Sequence, residues 1–247
     1  MIADLPMYQR PELVDAHNNY WSLIHQQLAN LKIESPGQLT PQSDMAKSWL
    51  NPDLLLSQTC GMPYRNGLHG TAQIIGTPDF QVDGCPAGYY CSAIVVRKED
   101  VKKDPGEFEK TIFVFNSEQS QSGYSAPYWF FKSHGFWFSN KMQSNAHTVS
   151  AQAVADGKAD IAAIDAVTWR LMSRYEKFTE QLAVLAWTQP TPGLPYITAS
   201  ANDRQQIFES IASAIDKLSA TDRSLLGIQS LVYIPAEDYL LVPDPDE

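Results

Sequence analysis

A hydroxyl-rich run, Asn116-Ser117-Glu118-Gln119-Ser120-Gln121-Ser122-Gly123-Tyr124, separates an apolar alternating stretch at 111–115 from an aromatic stretch at 126–131. The first stretch has the period of a strand and the second reads as a helix. A junction of this kind presents Ser hydroxyls and backbone N–H groups together, at the positive end of the helix dipole. That is chemistry suited to a small anion or a polar head group. Ser and Gly are also ordinary cap and turn residues, so the loop alone leaves both readings open.

Other polar groups share the same kind of position, just after a strand and at the start of a helix: Tyr8, Thr59-Cys60-Gly61, His147 and Asp165. At a helix start, the dipole and N–H groups lower the proton affinity of His147 and favour a neighbouring anion. A surface or capping histidine fits the sequence equally well. Asp165 is by default an N-cap, with ligand contact as the second reading. Cys60 beside Gly61 invites comparison with a nucleophile served by His147 or His69, but no nucleophile elbow or local signature surrounds it. The chain has no CxxC pair with a matching His or Cys pair, which argues against structural zinc. Binding is therefore expected rather than catalysis, with no cofactor.

The elements that must position these groups follow from periodicity and punctuation. A short strand is expected at 2–8, then an amphipathic helix at 11–32 carrying Leu13, Tyr20, Trp21, Ile24, Leu28 and Leu31. A shorter helix is expected around 42–50, and strands at 54–56, 72–78 and 89–97. After the strand at 111–116 come a helix near 123–133, a short strand starting at Phe136-Trp137-Phe138, and a helix from His147 to Gly157. Then follow a strand at 158–164, a helix at 166–176, and strands at 182–187 and 196–199. Asn202 is expected to cap a helix bearing Phe208, Ile211, Ile215 and Leu218, with Leu226 to Tyr233 as a last apolar run. This alternation predicts an α/β architecture with mixed, mainly parallel sheets. The middle of the chain reads as a lobe inserted into another. Residues 1–91 and 188–247 would form lobe 1, residues 92–187 lobe 2, and two crossing strands the hinge. Strand carboxyl ends would then gather the polar groups at a cleft between lobes.

Composition bounds the function. The 247 residues are 44% hydrophobic and 19% charged, with a formal net charge of −10 and no basic run. Nucleic-acid binding would need a Lys/Arg stripe against phosphates, so it is not expected. No apolar stretch approaches the roughly 20 residues that span a bilayer. The start of the chain lacks the basic and apolar regions of a signal peptide, which fits a cytoplasmic chain or one whose leader has been removed. The three cysteines, Cys60, Cys85 and Cys91, leave open a Cys60–Cys85 pair or three thiols.

Several motifs in one order resemble the phosphate/phosphonate-type substrate-binding proteins of ABC transporters. They are Leu55-Leu56-Ser57-Gln58-Thr59-Cys60-Gly61, Tyr90-Cys91-Ser92-Ala93-Ile94-Val95-Val96, and Ser120-Gln121-Ser122-Gly123-Tyr124 with Pro127. His147, Val154-Ala155-Asp156-Gly157-Lys158-Ala159-Asp160, Ile164-Asp165-Ala166-Val167-Thr168-Trp169 and Thr191-Pro192-Gly193-Leu194-Pro195 continue the series. The resemblance implies a type II periplasmic-binding-protein fold: two α/β lobes, a two-strand hinge and closure on a ligand. It implies that the Ser-rich loop and the helix start at the His grip the phosphonate oxygens, with Tyr90 and acidic residues on the rest of the ligand. Carried over, these positions are Tyr90, Ser120, Ser122, His147 and Asp165; Tyr8 and Thr59 join them from the strand-end argument. The chain departs from the family pattern at Gln121, where a hydroxyl residue is usual, and at Asn145-Ala146, where Gly-Ser is usual.

The expectation is a monomeric, non-catalytic solute binder for a small polar, anionic ligand, serving ABC-type uptake through a permease. A cytoplasmic sensory module and, less favoured, an enzyme using the same cleft are the alternatives.

Overall fold

In the computed structural model, which describes residues 1–41 and 45–246, the chain forms two compact units. Unit 1 comprises Met1–Tyr89 and Pro192–Leu241, and unit 2 comprises Tyr90–Thr191 and Val242–Glu247.

In chain order, β1 (Ile2–Ala3) leads to α1 (Val14–Asn30), then α2 (Met45–Trp49), β2 (Leu54–Gln58), α3 (Gly61–Pro63) and β3 (Ala72–Asp79). β4 (Tyr89–Tyr90), β5 (Ser92–Arg97), β6 (Phe113–Phe115), α4 (Ala126–Ser133), β7 (Lys141–Gln143) and α5 (His147–Ala155) follow. Next are β8 (Ile161–Asp165), α6 (Ala166–Tyr175), β9 (Leu182–Trp187), β10 (Thr191–Pro192) and β11 (Tyr196–Ala199). The last are α7 (Arg204–Asp216), α8 (Ala220–Leu226), β12 (Ser230–Val232) and α9 (Ala236–Leu240).

The sheet of unit 1 runs β1-β2-β11-β3-β12. Only β1 and β2 pair in parallel there; β11 pairs antiparallel with β2 and β3, and β12 with β3. The sheet of unit 2 runs β7-β6-β8-β5-β9, parallel from β7 to β8 and antiparallel from β8 to β9. Both sheets are mixed, as expected, but parallel pairing predominates in neither, with one parallel pair of four in unit 1 and two of four in unit 2. Strands returning from the chain's second half enter each sheet beside an earlier strand, and that direction of entry is not encoded in any local pattern.

The core of unit 2 follows from the two faces of its strands. Ala93, Val95, Val114, Ala162 and Ile164 bury one face against α5 and α6, with Val154 and Met172. Ile94, Val96, Phe113, Phe115 and Ala163 bury the other against Phe131, Phe136 and Phe138. Both faces are covered, which is why these strands read as continuous apolar runs.

Several local expectations are corrected. The opening strand stops at Ala3, because Pro6 and the left-handed backbone of Tyr8 (φ 64) turn the chain. The long strand at 89–97 is split at Cys91 into β4 and β5. Phe136 and Phe138 are core side chains outside any strand; they alternate because they pack on Phe131, while the edge strand begins later, at Lys141. Asp203, not Asn202, caps α7, accepting from Gln205 N and Gln206 N. Asn202 instead donates to the Leu54 carbonyl and Thr198 Oγ1. The helix expected around 42–50 is seen from Met45 to Trp49, and its first residues lie outside the described part.

Candidate functional site

The polar junction after β6 is a built structure. Ser120 is extended (φ −92, ψ 122), and its Oγ accepts the Gly123 N–H at 2.9 Å. The Ser120 carbonyl accepts from both Tyr124 N and Ser125 N, at 3.1 and 3.0 Å. The turn Gln121–Ser125 is thereby widened into π-helical form before α4 begins. Such single π-helical turns are rare and gather at functional sites.

The turn directs Ser122 onto the next junction: its Oγ lies 3.0 Å from His147 Nε2. His147 opens α5 after Asn145, whose backbone is left-handed (φ 69). Ala146 is the N-cap, and no side chain caps this helix. The two junctions are tied together by Ser144, whose N and Oγ both donate to the Phe115 carbonyl, at 2.8 and 3.1 Å. Ser144 Oγ also meets Ser150 Oγ at 2.6 Å. Asn116 completes the group. A Cβ on Gly123 would stand 1.9 Å from Asn116 Oδ1 and 3.2 Å from His147 Cε1, so the approach of these side chains requires glycine.

Burial dominates the electrostatics. It pushes His147 down to about 4, with the Ala163 backbone pulling weakly the other way. The ring is therefore neutral near pH 7, the direction expected from the sequence, but desolvation rather than the helix dipole is the main cause. A neutral imidazole offers either a donor or an acceptor at Nε2.

Asp165 and Tyr90 occupy a second group in unit 2. Asp165 is buried at the end of β8, in register with Ser92 on β5, and its Oδ1 accepts the Thr168 N–H of α6 at 2.8 Å. The Ala166 N–H donates to the Cys91 carbonyl, so Tyr90-Cys91-Ser92 borders the start of α6. Tyr90 is buried at the end of β4.

In unit 1, Tyr8 meets the Phe80 ring edge-on at 5.0 Å. Together with His17, Gln58 and Tyr196 it lines a cavity of about 10 Å³, room for about one water. Thr59 is fully buried, its N–H on the Pro195 carbonyl and its Oγ1 on the Cys60 carbonyl. The structure thus brings Ser120, Ser122 and His147 together and sets Tyr90 near Asp165. Tyr8 and Thr59 belong to the other unit.

Sequence reasoning missed Asn116 and Ser144 as members of the group. Asn116 was legible as the first polar residue after the strand. Ser144 joins the group through the Phe115 carbonyl, distant in sequence, and left no local signal. Among the described residues no group of His, Cys, Asp and Glu is arranged to hold a metal ion, and no helix is long and apolar enough to cross a membrane.

The profile of a family described as "ABC transporter, phosphonate, periplasmic substrate-binding protein" matches residues 59–238. PhnD1 from Prochlorococcus marinus (MIT 9301), solved in complex with methylphosphonate, superposes with a TM-score of 0.74. It is 16% identical, over 97% of this chain and 94% of that one. A binding protein component of an ABC phosphonate transporter from Pseudomonas aeruginosa gives a TM-score of 0.67 at 15% identity, over 98% of this chain and 83% of that one. A Xanthomonas citri protein solved bound to ATP gives 0.69 at 12% identity, over 95% and 97%. At such identities the likeness shows the fold. A search of curated protein sequences found no match.

Proposed function

Because the chain belongs to the family of phosphonate periplasmic substrate-binding proteins of ABC transporters, we propose that it binds a phosphonate or related small oxyanion at the Ser122–His147 junction. It would then hand the ligand, chemically unchanged, to an ABC permease. The observation that carries this reading is the pairing of Ser122 Oγ with His147 Nε2 at an uncapped helix start. The first N–H groups of a helix lack partners inside it, and an anion satisfies them where no side chain does.

Ser122 Oγ and His147 Nε2 stand 3.0 Å apart, and the neutral ring adds no second charge to the site. Ser120 contributes by holding the Gly123 N–H, which fixes the turn. Tyr90 and Asp165, which lie in the same unit, are proposed to contact the remainder of the ligand. Gln121 and Ala146, which stand where hydroxyl residues are usual in the family, remove two hydroxyls from the grip, and Gln121 puts a bulkier amide in place of one. The protein is proposed to act as a monomer, and its net charge of −10 fits a partner other than nucleic acid.

The test is calorimetric titration with methylphosphonate, phosphate, a sulfonate and a carboxylate. Ser122→Ala and His147→Gln are each expected to weaken the best ligand about tenfold, the scale of one lost charge-assisted hydrogen bond. Unchanged affinity in both variants overturns the proposed grip. Ligand recovered altered after incubation would overturn the non-catalytic reading.

A further inference from the structure

A single backbone carbonyl far along the chain touches the gripping turn twice. The Pro243 carbonyl accepts the Ser125 hydroxyl at 3.2 Å and the Trp129 indole Nε1–H at 3.1 Å. Ser125 is the last residue of the π-helical turn and Trp129 lies in the first turn of α4. Four residues apart, they share one face of the helix. The segment from Val242 belongs to unit 2, so the chain re-enters this unit after α9 and sets Pro243 on that face. Pro243 and Pro245 restrict the tail's backbone, and Asp244 before a proline is biased to an extended form.

We propose that Pro243, Ser125 and Trp129 form a positioning staple for the anion-gripping turn, holding Ser122 in register with His147. This rests on the ligand reading above.

The staple acts where the turn is weakest. The Ser120 carbonyl is shared by two N–H groups, and the Gln121 carbonyl is occupied by the Ala126 N–H. In an ordinary helix, a serine hydroxyl back-bonds to the carbonyl four residues earlier. Here the fully buried Ser125 hydroxyl donates instead to the Pro243 carbonyl. A carbonyl oxygen has two lone pairs, so it can hold both donors at once. The turn end and the helix start are then fixed to each other. Ser122 is three residues from Ser125, so a rotation of the turn relative to α4 would carry its Oγ away from Nε2.

The experiment compares the full chain with Ser125→Ala, Trp129→Phe and a chain ending at Leu241. It reads methylphosphonate affinity, thermal unfolding without ligand, and the NMR signals of the Gly123 amide and the His147 ring. Each single variant is expected to weaken binding about threefold and the shortened chain about tenfold, through faster dissociation. The Gly123 and His147 signals should move in the unliganded protein, which a purely stabilising tail would not cause. Trp129→Phe keeps an aromatic ring at the site while removing the N–H donor, so it is read beside Ser125→Ala if the shortened chain fails to fold. Affinities within about twofold of the full chain overturn the staple, as do unmoved Gly123 and His147 signals. If the full chain binds none of the anions tested, the ligand reading fails, and the two NMR signals alone decide the staple.

Discussion

Two strand-to-helix junctions of unit 2 look alike in sequence and differ in what they leave open. At the end of β8, Asp165 accepts the Thr168 N–H itself, so α6 begins with its own carboxylate at its positive end. At the start of α5, the N-cap is Ala146, whose side chain has no acceptor to offer. The first helix has met its demand for negative charge internally and the second has not. The lesson is that anion binding at a helix start depends on whether the chain supplies its own cap. The turn before α4 is an intermediate case: Ser120 takes one N–H and leaves Ser122 for His147.

The largest effect expected from this contrast is on pH dependence. His147 is held near 4 in the fold against an ordinary 6.5, so the unfolded chain binds a proton that the native state refuses. Stability is full above about pH 6.5 and falls as pH drops toward 4, by about 3 kcal/mol from this group. His17, also pushed down by burial, adds in the same direction. Chemical denaturation from pH 7.5 to 4 should give a clearly flatter slope in His147→Gln than in the parent; equal slopes would place the titration elsewhere.

Next in size is Gly123→Ala. Its Cβ would meet Asn116 Oδ1 at 1.9 Å, so one of the two must move. A loss of about 2 kcal/mol in unfolding free energy is expected, together with loss of measurable methylphosphonate binding. Parent-like binding would separate the turn from the ligand site. Asp165→Ala removes the self-supplied cap of α6 and should cost about 1 kcal/mol by urea titration. The smallest effect comes from supplying the missing cap. Ala146→Ser should raise the unfolding free energy by a few tenths to about 1 kcal/mol without ligand, measured the same way. No gain would mean the first N–H groups of α5 are already satisfied.

Much of the fold was legible because the segments that carry it are strongly periodic. The helix at 14–30 keeps its apolar face at Tyr20, Trp21, Ile24 and Leu28, all buried. The strands of unit 2 stood out as continuous apolar runs because both faces are covered. Phe136-Trp137-Phe138 misled for a related reason: alternation records burial, and burial on Phe131 does not need a ladder of hydrogen bonds. Asn202 misled because an amide suited to capping found better partners in Leu54 and Thr198, which no local window contains.

Residue type and spacing by themselves determined the strand–loop–helix junctions, the Ser-rich turn, the histidine at a helix start and the family resemblance, because each is a local property of the backbone. Tertiary structure alone decided the rest. It brought Ser122 to His147, set Asn116 against Gly123, neutralised His147 by desolvating its ring, and turned sheet neighbours antiparallel. These depend on what arrives from distant parts of the chain, and short-range periodicity carries no record of which elements will meet.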